Sequence, residues 1–481
     1  MVELEKKAIN SFFWDFSNKY LTLGISFGIS IILARQLSPE VFGVMAILLA
    51  IVGVSELLTG AGLIGALIQK EKISENHYSS VLIFNLAISL FIVFIFQVYA
   101  EAICIFLNIE GYETSIKTIC FIFIIKSFTS VHDARLRKNL EFKTLSKIGF
   151  ISALLSGVAA IALASNDFGI DSLIYQLLIQ SSIVMIYLNV KFFKKNLVRP
   201  SYKALLSLWG FGFNIFIANL IDKIVSSLDT VVLSKVVPLA EVGFFHRAKS
   251  LNAMVFESFS SSVMAITFPY LSQKQNNKNE LVKSIYKINS LLSIITAFLV
   301  GYVFLETNNI ILFLLGDKWE PTIYFAKFLI ITSLFHPFIT VNINILTTQG
   351  YSKAYLKFIL LRRCLSVLAL FVLYYKGIEF YLYAILFQGI LECLLSVVFC
   401  KSYVKVKMKN NLLVFIKYIF IMAFTILIAK ILLSNIKVST FIELIVGFLL
   451  YTLTFISLLI VVRDQHLYEI KKYFRKNNKL Y

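Results

Sequence analysis

Runs of about twenty apolar residues alternate along the chain with short polar connections, most of which are basic. A helix needs ~20 apolar residues to cross the ~30 Å hydrocarbon core of a bilayer, and the runs match this length. The weak residue-by-residue alternation that is typical of a membrane β-barrel is absent from the sequence. The pattern therefore predicts an all-α polytopic membrane protein.

The apolar runs divide into fourteen predicted transmembrane segments, whose ends are placed to within a few residues. The segments cover residues 12–34, 42–68, 79–99, 115–131, 147–165, 170–190, 205–232, 243–270, 285–305, 323–346, 354–375, 379–400, 412–433 and 440–462. Charged residues interrupt the first, fourth, seventh and eighth of these segments.

Membrane topology accounts for the formal net charge of +19. With the N-terminus in the cytoplasm, most of the 46 Lys and Arg residues fall in cytoplasmic connections or in the C-terminal tail, as the positive-inside rule requires. Both termini are therefore predicted to be cytoplasmic, and the basic excess gives no reason to expect nucleic acid as a partner. The connections are too short for an extramembrane catalytic domain, so we do not expect an enzyme.

The chain contains an internal repeat at a constant offset of 200, in which SIILARQLSPEVFG at 30–43 resembles TVVLSKVVPLAEVG at 230–243. Matched pairs include Leu33 with Leu233, Arg35 with Lys235, and Gly43 with Gly243. Both copies are predicted to cross the membrane in the same direction, which indicates a parallel repeat about an axis along the membrane normal. We therefore predict two pseudo-symmetric six-helix lobes around a central cavity, residues 1–200 and 201–405. Residues 406–481 add two more helices and a basic cytoplasmic tail.

Charged side chains within the predicted segments are the candidate site residues. Each costs roughly 2.5–3.5 kcal/mol at the bilayer centre on insertion scales, so each needs a structural or functional reason. In the functional interpretation, cations face a water-filled cavity and bind an anionic substrate. The candidate substrate-binding residues are Lys19, Lys126, Lys223, Arg247, Lys249 and the polar Asn219. For Lys126 the alternative is an ammonium group that reaches the membrane surface along its helix, and we expect this behaviour of Lys327.

Carboxylates within the segments are candidate coupling or ion-pairing residues. They are Asp15, Glu56, Asp222, Asp229 and Glu257. Asp229 and Arg247 lie nine residues on either side of Pro238, the centre of a predicted outer hairpin, so they are expected at similar depth and can pair. Such a pair either orders the hairpin without contacting substrate or belongs to the site. Glu56 and Glu257 fall near the middle of corresponding segments, where a buried carboxylate can carry a proton or coordinate Na⁺. No other cofactor and no metal is expected, because the His and Cys residues lack metal-ligand spacing.

Three stretches carry a family resemblance that covers most of residues 10–400. They are LARQLSPEVFGVMAILLAIVGVSELLTGAGLIGALIQK from residue 33, the second hairpin with LDTVVLSKV and VGFFHRAKSL, and LLGDKWEPTIYFAKFLIITSLFHP from residue 314. These stretches resemble bacterial polysaccharide flippases, which form the polysaccharide-transport branch of the MOP (multidrug/oligosaccharidyl-lipid/polysaccharide) exporter superfamily. The resemblance implies two six-helix lobes that form a V, commonly followed by two extra helices.

The resemblance also implies a substrate and a location. The substrate would be an undecaprenyl-pyrophosphate-linked oligosaccharide, which alternating access turns from the cytoplasmic to the outer leaflet of the bacterial cytoplasmic membrane. This step would serve the biosynthesis of a surface polysaccharide such as O-antigen. The implied partners are the lipid-linked oligosaccharide, membrane lipid, and a polysaccharide polymerase with its chain-length machinery.

Three alternative functions remain open at this stage. A multidrug cation antiporter of the same superfamily would need an acidic cavity, whereas the candidate cavity residues here are mostly cations, which suit pyrophosphate oxygens. A flippase for the peptidoglycan precursor lipid II works by nearly the same mechanism, and only substrate transport separates the two. A membrane polysaccharide polymerase would need an outer loop with catalytic carboxylates or arginines, and the outer loops lack a convincing acid–base pair.

Overall fold

The computed structural model describes residues 21–60, 63–70, 72–193, 198–257, 267, 271, 274, 277–404, 408–434 and 439–464. Within these ranges every regular element is a helix, which confirms the predicted all-α class. Asp15 and Lys19 of the predicted site lie outside the described residues, as does most of the second half of the eighth predicted segment.

The chain divides into two compact units, residues 1–243 and 244–481. The helices of the first unit are α1 (Leu21–Gln36), α2 (Pro39–Gly60), α3 (Leu63–Gln69), α4 (Glu75–Leu107), α5 (Glu113–Ile119), α6 (Phe121–Lys138), α7 (Phe142–Ala164), α8 (Ile170–Lys191) and α9 (Tyr202–Val236), and α10 (Leu239–Asn252) begins in it. Helix α9 packs against α2, α3 and α4 of this unit. The predicted lobe boundary at residue 200 assigns α9 to the second lobe instead, and that division into lobes stays a prediction.

The second unit continues with eight further helices. They are α11 (Lys278–Leu305), α12 (Thr307–Leu315), α13 (Thr322–Thr332), α14 (Phe335–Thr348), α15 (Ser352–Lys376), α16 (Ile378–Phe399), α17 (Lys409–Leu433) and α18 (Thr440–Val461). Short π-helical turns follow α10 at Ala253–Glu257 and α16 at Cys400–Val404. The apolar core of this unit joins α11, α14, α16 and α17, and Phe338 stacks on Phe415 with ring centroids 4.9 Å apart.

Ten helical stretches within the described ranges are long and apolar enough to cross a membrane, so the chain is a multi-pass membrane protein. They are Pro39–Gly60, Glu75–Leu107, Glu113–Lys138, Phe142–Ala164, Ile170–Lys191, Glu280–Leu305, Thr322–Thr348, Ile378–Val404, Lys409–Leu433 and Thr440–Val461. The remaining predicted segments coincide with α1, with α9, with the stretch that α10 begins, and with α15, which are shorter or carry more charge. Fourteen crossings as a count stays a prediction.

The two copies of the sequence repeat share one local structure. Helix α1 ends and α2 begins around residues 37–38, and α9 ends and α10 begins around residues 237–238, again at an offset of 200. The first break is closed by the backbone N–H of Leu37, which donates to the Leu33 carbonyl at 2.9 Å. The N–H of Val237 donates in the same way to the Leu233 carbonyl at 3.0 Å. The repeat in sequence is therefore also a repeat in structure.

The repeat copies touch each other through two glycines. A Cβ built on Gly43 would lie 3.0 Å from the carbonyl carbon of Leu239, 3.1 Å from the nitrogen of Gly243, and closer still to the Leu239 carbonyl oxygen. A Cβ on Gly243 would meet the carbonyl group of Pro39 and the nitrogen of Gly43 in the same way. Pro39 and Leu239 are themselves repeat partners, so the contact is reciprocal. Small residues allow helix backbones in membranes to approach this closely.

Candidate functional site

A cavity of about 320 Å³ lies within the first unit where α2, α3, α6 and α9 meet. Its polar lining consists of Glu56, Thr59, Lys126, Ser130 and Asn219. Three of these side chains, those at positions 56, 126 and 219, belong to the residues that the sequence marks as candidates. They come from three different predicted segments, so only the packing of the helices brings them together.

Lys126 and Glu56 form an ion pair in the lining of this cavity. The ammonium group of Lys126 donates a short hydrogen bond to a carboxylate oxygen of Glu56. Both side chains remain partly accessible, with 40% of Lys126 and 31% of Glu56 exposed. The pair therefore lies at the cavity wall, where a ligand can reach it. Lys126 does not extend alone towards the membrane surface, because a carboxylate seventy positions earlier in the chain holds it.

Lys223 lies beside the same cavity, about one helical turn after Asn219 on α9. Helices α2 and α9 run side by side so that Gly53 meets Lys223, while Leu57 and Asn219 line the cavity together. A Cβ built on Gly53 would lie 2.7 Å from the Lys223 ammonium nitrogen and closer still to its Cε atom. The ammonium group thus rests on the backbone of α2, three residues or about 4.5 Å along the axis from Glu56. Within the described residues, no carboxylate lies within ion-pair distance of Lys223.

Asp222 and Asp229 occupy the same helix as Lys223. Asp222 is exposed, whereas Asp229 is partly buried and accepts a hydrogen bond from the backbone N–H of Thr230 at 2.7 Å. Arg247 is buried, with 4% of its surface exposed. Because Asp229 belongs to the first unit and Arg247 to the second, their pairing stays a prediction.

The other candidate residues fall in the second unit. Lys249 and Lys327 are partly buried on α10 and α13. Glu257 is the last residue of the π-helical turn after α10, and its side chain lies outside the described residues. The assignment of Lys249 and Glu257 to a site therefore also stays a prediction.

The sequence reasoning missed an ion pair between the neighbouring helices α15 and α16. The Nε atom of Arg362 lies 3.1 Å from one carboxylate oxygen of Glu392, and Gln388 donates a hydrogen bond to the other oxygen at 2.7 Å. The two charged residues lie fifteen positions on either side of Gly377, which joins the two helices. A comparison of equal distances from that turn, like the one made around Pro238, would have found the pair.

A second missed cluster joins the ends of α4 and α6. Arg135 is buried, with 3% of its side chain exposed, and forms an ion pair with Glu75 at 2.7 Å. Its guanidinium carbon lies 4.2 Å from the ring centroid of Tyr78. A buried arginine with both a carboxylate and an aromatic face as partners is typical of a structural link between helices.

The arrangement around the cavity is suited to binding an anion. Among the described residues, no three His, Cys, Asp or Glu side chains are grouped closely enough to hold a metal ion. Lys126 and Glu56 line the cavity and Lys223 lies beside it, so these three side chains carry one formal positive charge together. A phosphate oxygen could replace the Glu56 carboxylate as the partner of Lys126.

The fold has a counterpart among solved structures. The lipid II flippase MurJ in an inward closed conformation matches with a TM-score of 0.72 and 15% sequence identity, over 94% of this chain and 99% of that one. At this level of identity the match establishes the fold alone.

Curated relatives match over a shorter stretch. The succinoglycan biosynthesis transport protein ExoT of Rhizobium meliloti is 25% identical over 64% of this chain and 62% of its own length. A membrane protein in the cps region of Klebsiella pneumoniae is 23% identical over 66% of each chain, so the match spans a little under two thirds of both relatives. A family model described as polysaccharide biosynthesis protein matches residues 32–324, more than half of the chain. This multi-pass membrane protein therefore belongs to the polysaccharide biosynthesis protein family.

Proposed function

We propose that this protein is a flippase for an undecaprenyl-pyrophosphate-linked oligosaccharide in the bacterial cytoplasmic membrane. The observation that carries the proposal is the cavity that Lys126 and Glu56 line between apolar helices, with Lys223 beside it. Cations kept inside the membrane are costly, and they occur mainly where they serve a substrate or ion pathway. Family membership and the transport role in the name of the Rhizobium meliloti relative support the same conclusion.

The size of the cavity indicates which part of the substrate it would hold. A volume of about 320 Å³ is enough for a diphosphate group. Lysine ammonium groups form strong charge-assisted hydrogen bonds with phosphate oxygens. The cavity would therefore hold the diphosphate head group, while the sugars need a wider polar path because their hydroxyls cannot lose water without new partners.

The Glu56–Lys126 pair makes phosphate binding a competition. Glu56 and a phosphate oxygen are alternative partners of the Lys126 ammonium group, so the ion pair would open when the anion binds and close again when the anion leaves. Both termini of the chain would lie in the cytoplasm. A polysaccharide polymerase and its chain-length machinery would act on the product.

Flipping in reconstituted liposomes tests the proposal. The wild-type protein should move a diphosphate-linked oligosaccharide lipid between leaflets, and Lys126→Ala should reduce the rate strongly. Lys147→Ala on α7 is the control, because that lysine does not line the cavity. Equal rates for the two variants would contradict the role of the cavity.

Lipid II is the competing substrate, since MurJ shares the fold. The same liposomes should therefore contain lipid II in a parallel experiment. Transport of lipid II but not of the oligosaccharide lipid would replace the proposed substrate with the peptidoglycan precursor.

A further inference from the structure

We propose that Gly53 is a positioning residue for substrate recognition, because its missing side chain seats the Lys223 ammonium group beside the Glu56–Lys126 pair. The two lysines then hold one phosphate each of a diphosphate group, which makes this seat a determinant of specificity for diphosphate over monophosphate. The inference rests on the proposed function and adds to it the residue that makes the site prefer a diphosphate to a monophosphate.

The first support is steric. The position that a Cβ on Gly53 would take is already occupied by the end of the Lys223 side chain, with the ammonium nitrogen 2.7 Å away. This distance is well below ordinary van der Waals contact, which begins near 3.4 Å. Because the obstructing atoms form the far end of a flexible side chain, an added methyl group displaces the ammonium group and leaves the packing of α2 on α9 in place. Gly53→Ala is thus a way to move one charge without removing it.

The second support is a comparison among glycines of the same region. A Cβ on Gly60 would meet only a side-chain carbon of Ile64, at 3.9 Å, and a Cβ on Gly65 would meet nothing within 4 Å. Both of these glycines line the cavity, as Gly53 does not, yet either could carry a side chain. Of these three, it is therefore Gly53 whose missing Cβ leaves space for a cation.

The internal repeat supplies the third support. At the offset of 200 that relates the two copies, Gly53 corresponds to Ala253 and Lys223 corresponds to Leu23. The lysine and the glycine that receives it are therefore both absent from the symmetry-related positions. By contrast, Gly43 and Gly243 keep the same residue in both copies, where backbone packing needs it. If Gly53 is needed only to make room for Lys223, a repeat copy without the lysine does not need the glycine, and this is the pattern in the sequence.

Geometry connects the seat to the substrate. Gly53 receives Lys223 and Glu56 holds Lys126, and these two residues of α2 lie three positions or about 4.5 Å apart along the helix axis, which defines two levels. A diphosphate that bridges two esters carries its negative charges on adjacent phosphates, so it can contact both levels at once. A monophosphate can occupy only one of them. Loss of one charge-assisted contact should weaken binding by about tenfold or more.

The experiment compares flipping of two lipids that carry the same oligosaccharide through a diphosphate or a monophosphate. Gly53→Ala and Lys223→Met should each reduce the preference of the full-length protein for the diphosphate lipid by about tenfold, with little effect on the monophosphate lipid. The double variant should be no worse than either single variant, since both remove the same contact. Gly149→Ala on α7 is the matched control and should behave as wild type, because a Cβ there meets nothing within 4 Å and Gly149 does not line the cavity.

Three outcomes decide the inference. A Gly53→Ala protein that matches Gly149→Ala while the wild type flips the diphosphate lipid would overturn the inference and leave the proposed function standing. Additive losses in the double variant would also overturn it, because Gly53 would then act apart from Lys223. If the wild type flips neither lipid, the proposed function fails and the inference with it. Should Gly53→Ala not accumulate in the membrane, Lys223→Met decides, since it adds no volume.

Discussion

The reciprocal glycine contact predicts that Gly43→Ala destabilises the protein. The added methyl group would overlap the carbonyl oxygen of Leu239 and lie 3.0 Å from its carbonyl carbon, whereas ordinary contacts begin near 3.4 Å. The obstructing atoms are backbone atoms near a helix start, so they cannot rotate away. The two helices must separate along their contact, and other packing is lost with that movement.

The size of the effect follows from two opposing contributions. Overpacking of a close contact typically costs about 1–3 kcal/mol, and the rigid neighbours here favour the upper part of that range. Replacing Gly with Ala within a helix returns up to ~1 kcal/mol through backbone entropy. We therefore expect a net loss of about 1–2 kcal/mol for Gly43→Ala and a similar loss for Gly243→Ala. The double variant should lose less than the sum, because one separation of the helices relieves both overlaps.

Thermal unfolding in detergent, followed by tryptophan fluorescence, measures this prediction. Gly28→Ala is the matched control, because a Cβ on that glycine of α1 meets nothing within 4 Å. The control should keep or raise the midpoint temperature, while both contact variants lower it. A Gly43→Ala protein as stable as Gly28→Ala would refute the close contact between the two repeat copies.

Three further predictions concern charged groups. Glu56→Gln removes the charged competitor for Lys126, so the diphosphate lipid should bind more tightly and leave more slowly; unchanged binding would assign Glu56 a structural role. Glu392→Ala leaves Arg362 without its carboxylate, and because a third of that arginine remains exposed we expect a loss of about 1–3 kcal/mol in unfolding experiments. No loss would mean that water replaces the carboxylate. Burial raises the pKa of Glu306, which lies just outside the membrane-spanning segments. Its contribution to stability is therefore present at low pH and lost as the pH rises through the raised pKa, so Glu306→Gln should be more stable than wild type at alkaline pH and equal to it in acid. A midpoint difference that does not change with pH would contradict this.

Most of the fold could be predicted because membrane helices are encoded locally. A span needs only a run of apolar residues, and the chain marks its ends with basic residues and short polar turns. The break between α1 and α2, and its copy between α9 and α10, followed from a repeat that is visible without any structure. The unit to which α9 belongs was harder to predict from the sequence, because it depends on which helices pack against α9 and not on the apolar residues of α9 itself.

The site was harder to predict for the same reason. The cost of a charge in the membrane marks Lys126, Glu56 and Lys223 as candidates one at a time. Nothing in the sequence links position 126 to position 56, since the two lie on α6 and α2 and pair only after those helices pack. The seat on Gly53 was missed entirely, because a glycine in an apolar run looks like ordinary helix packing. Its role is visible only from the side chain that fills the space.

The pairing of Lys126 with Glu56 also bears on how a transporter releases what it binds. Two free lysines at membrane depth would be costly when the site is empty and would hold a diphosphate too tightly once it is full. An internal carboxylate removes part of that cost and competes with the substrate for Lys126. The anion is then bound only by the difference between its own contacts and those of Glu56, so its release costs less than release from two free lysines. Lys223 has no carboxylate within ion-pair distance among the described residues, so the competition that permits release acts at Lys126.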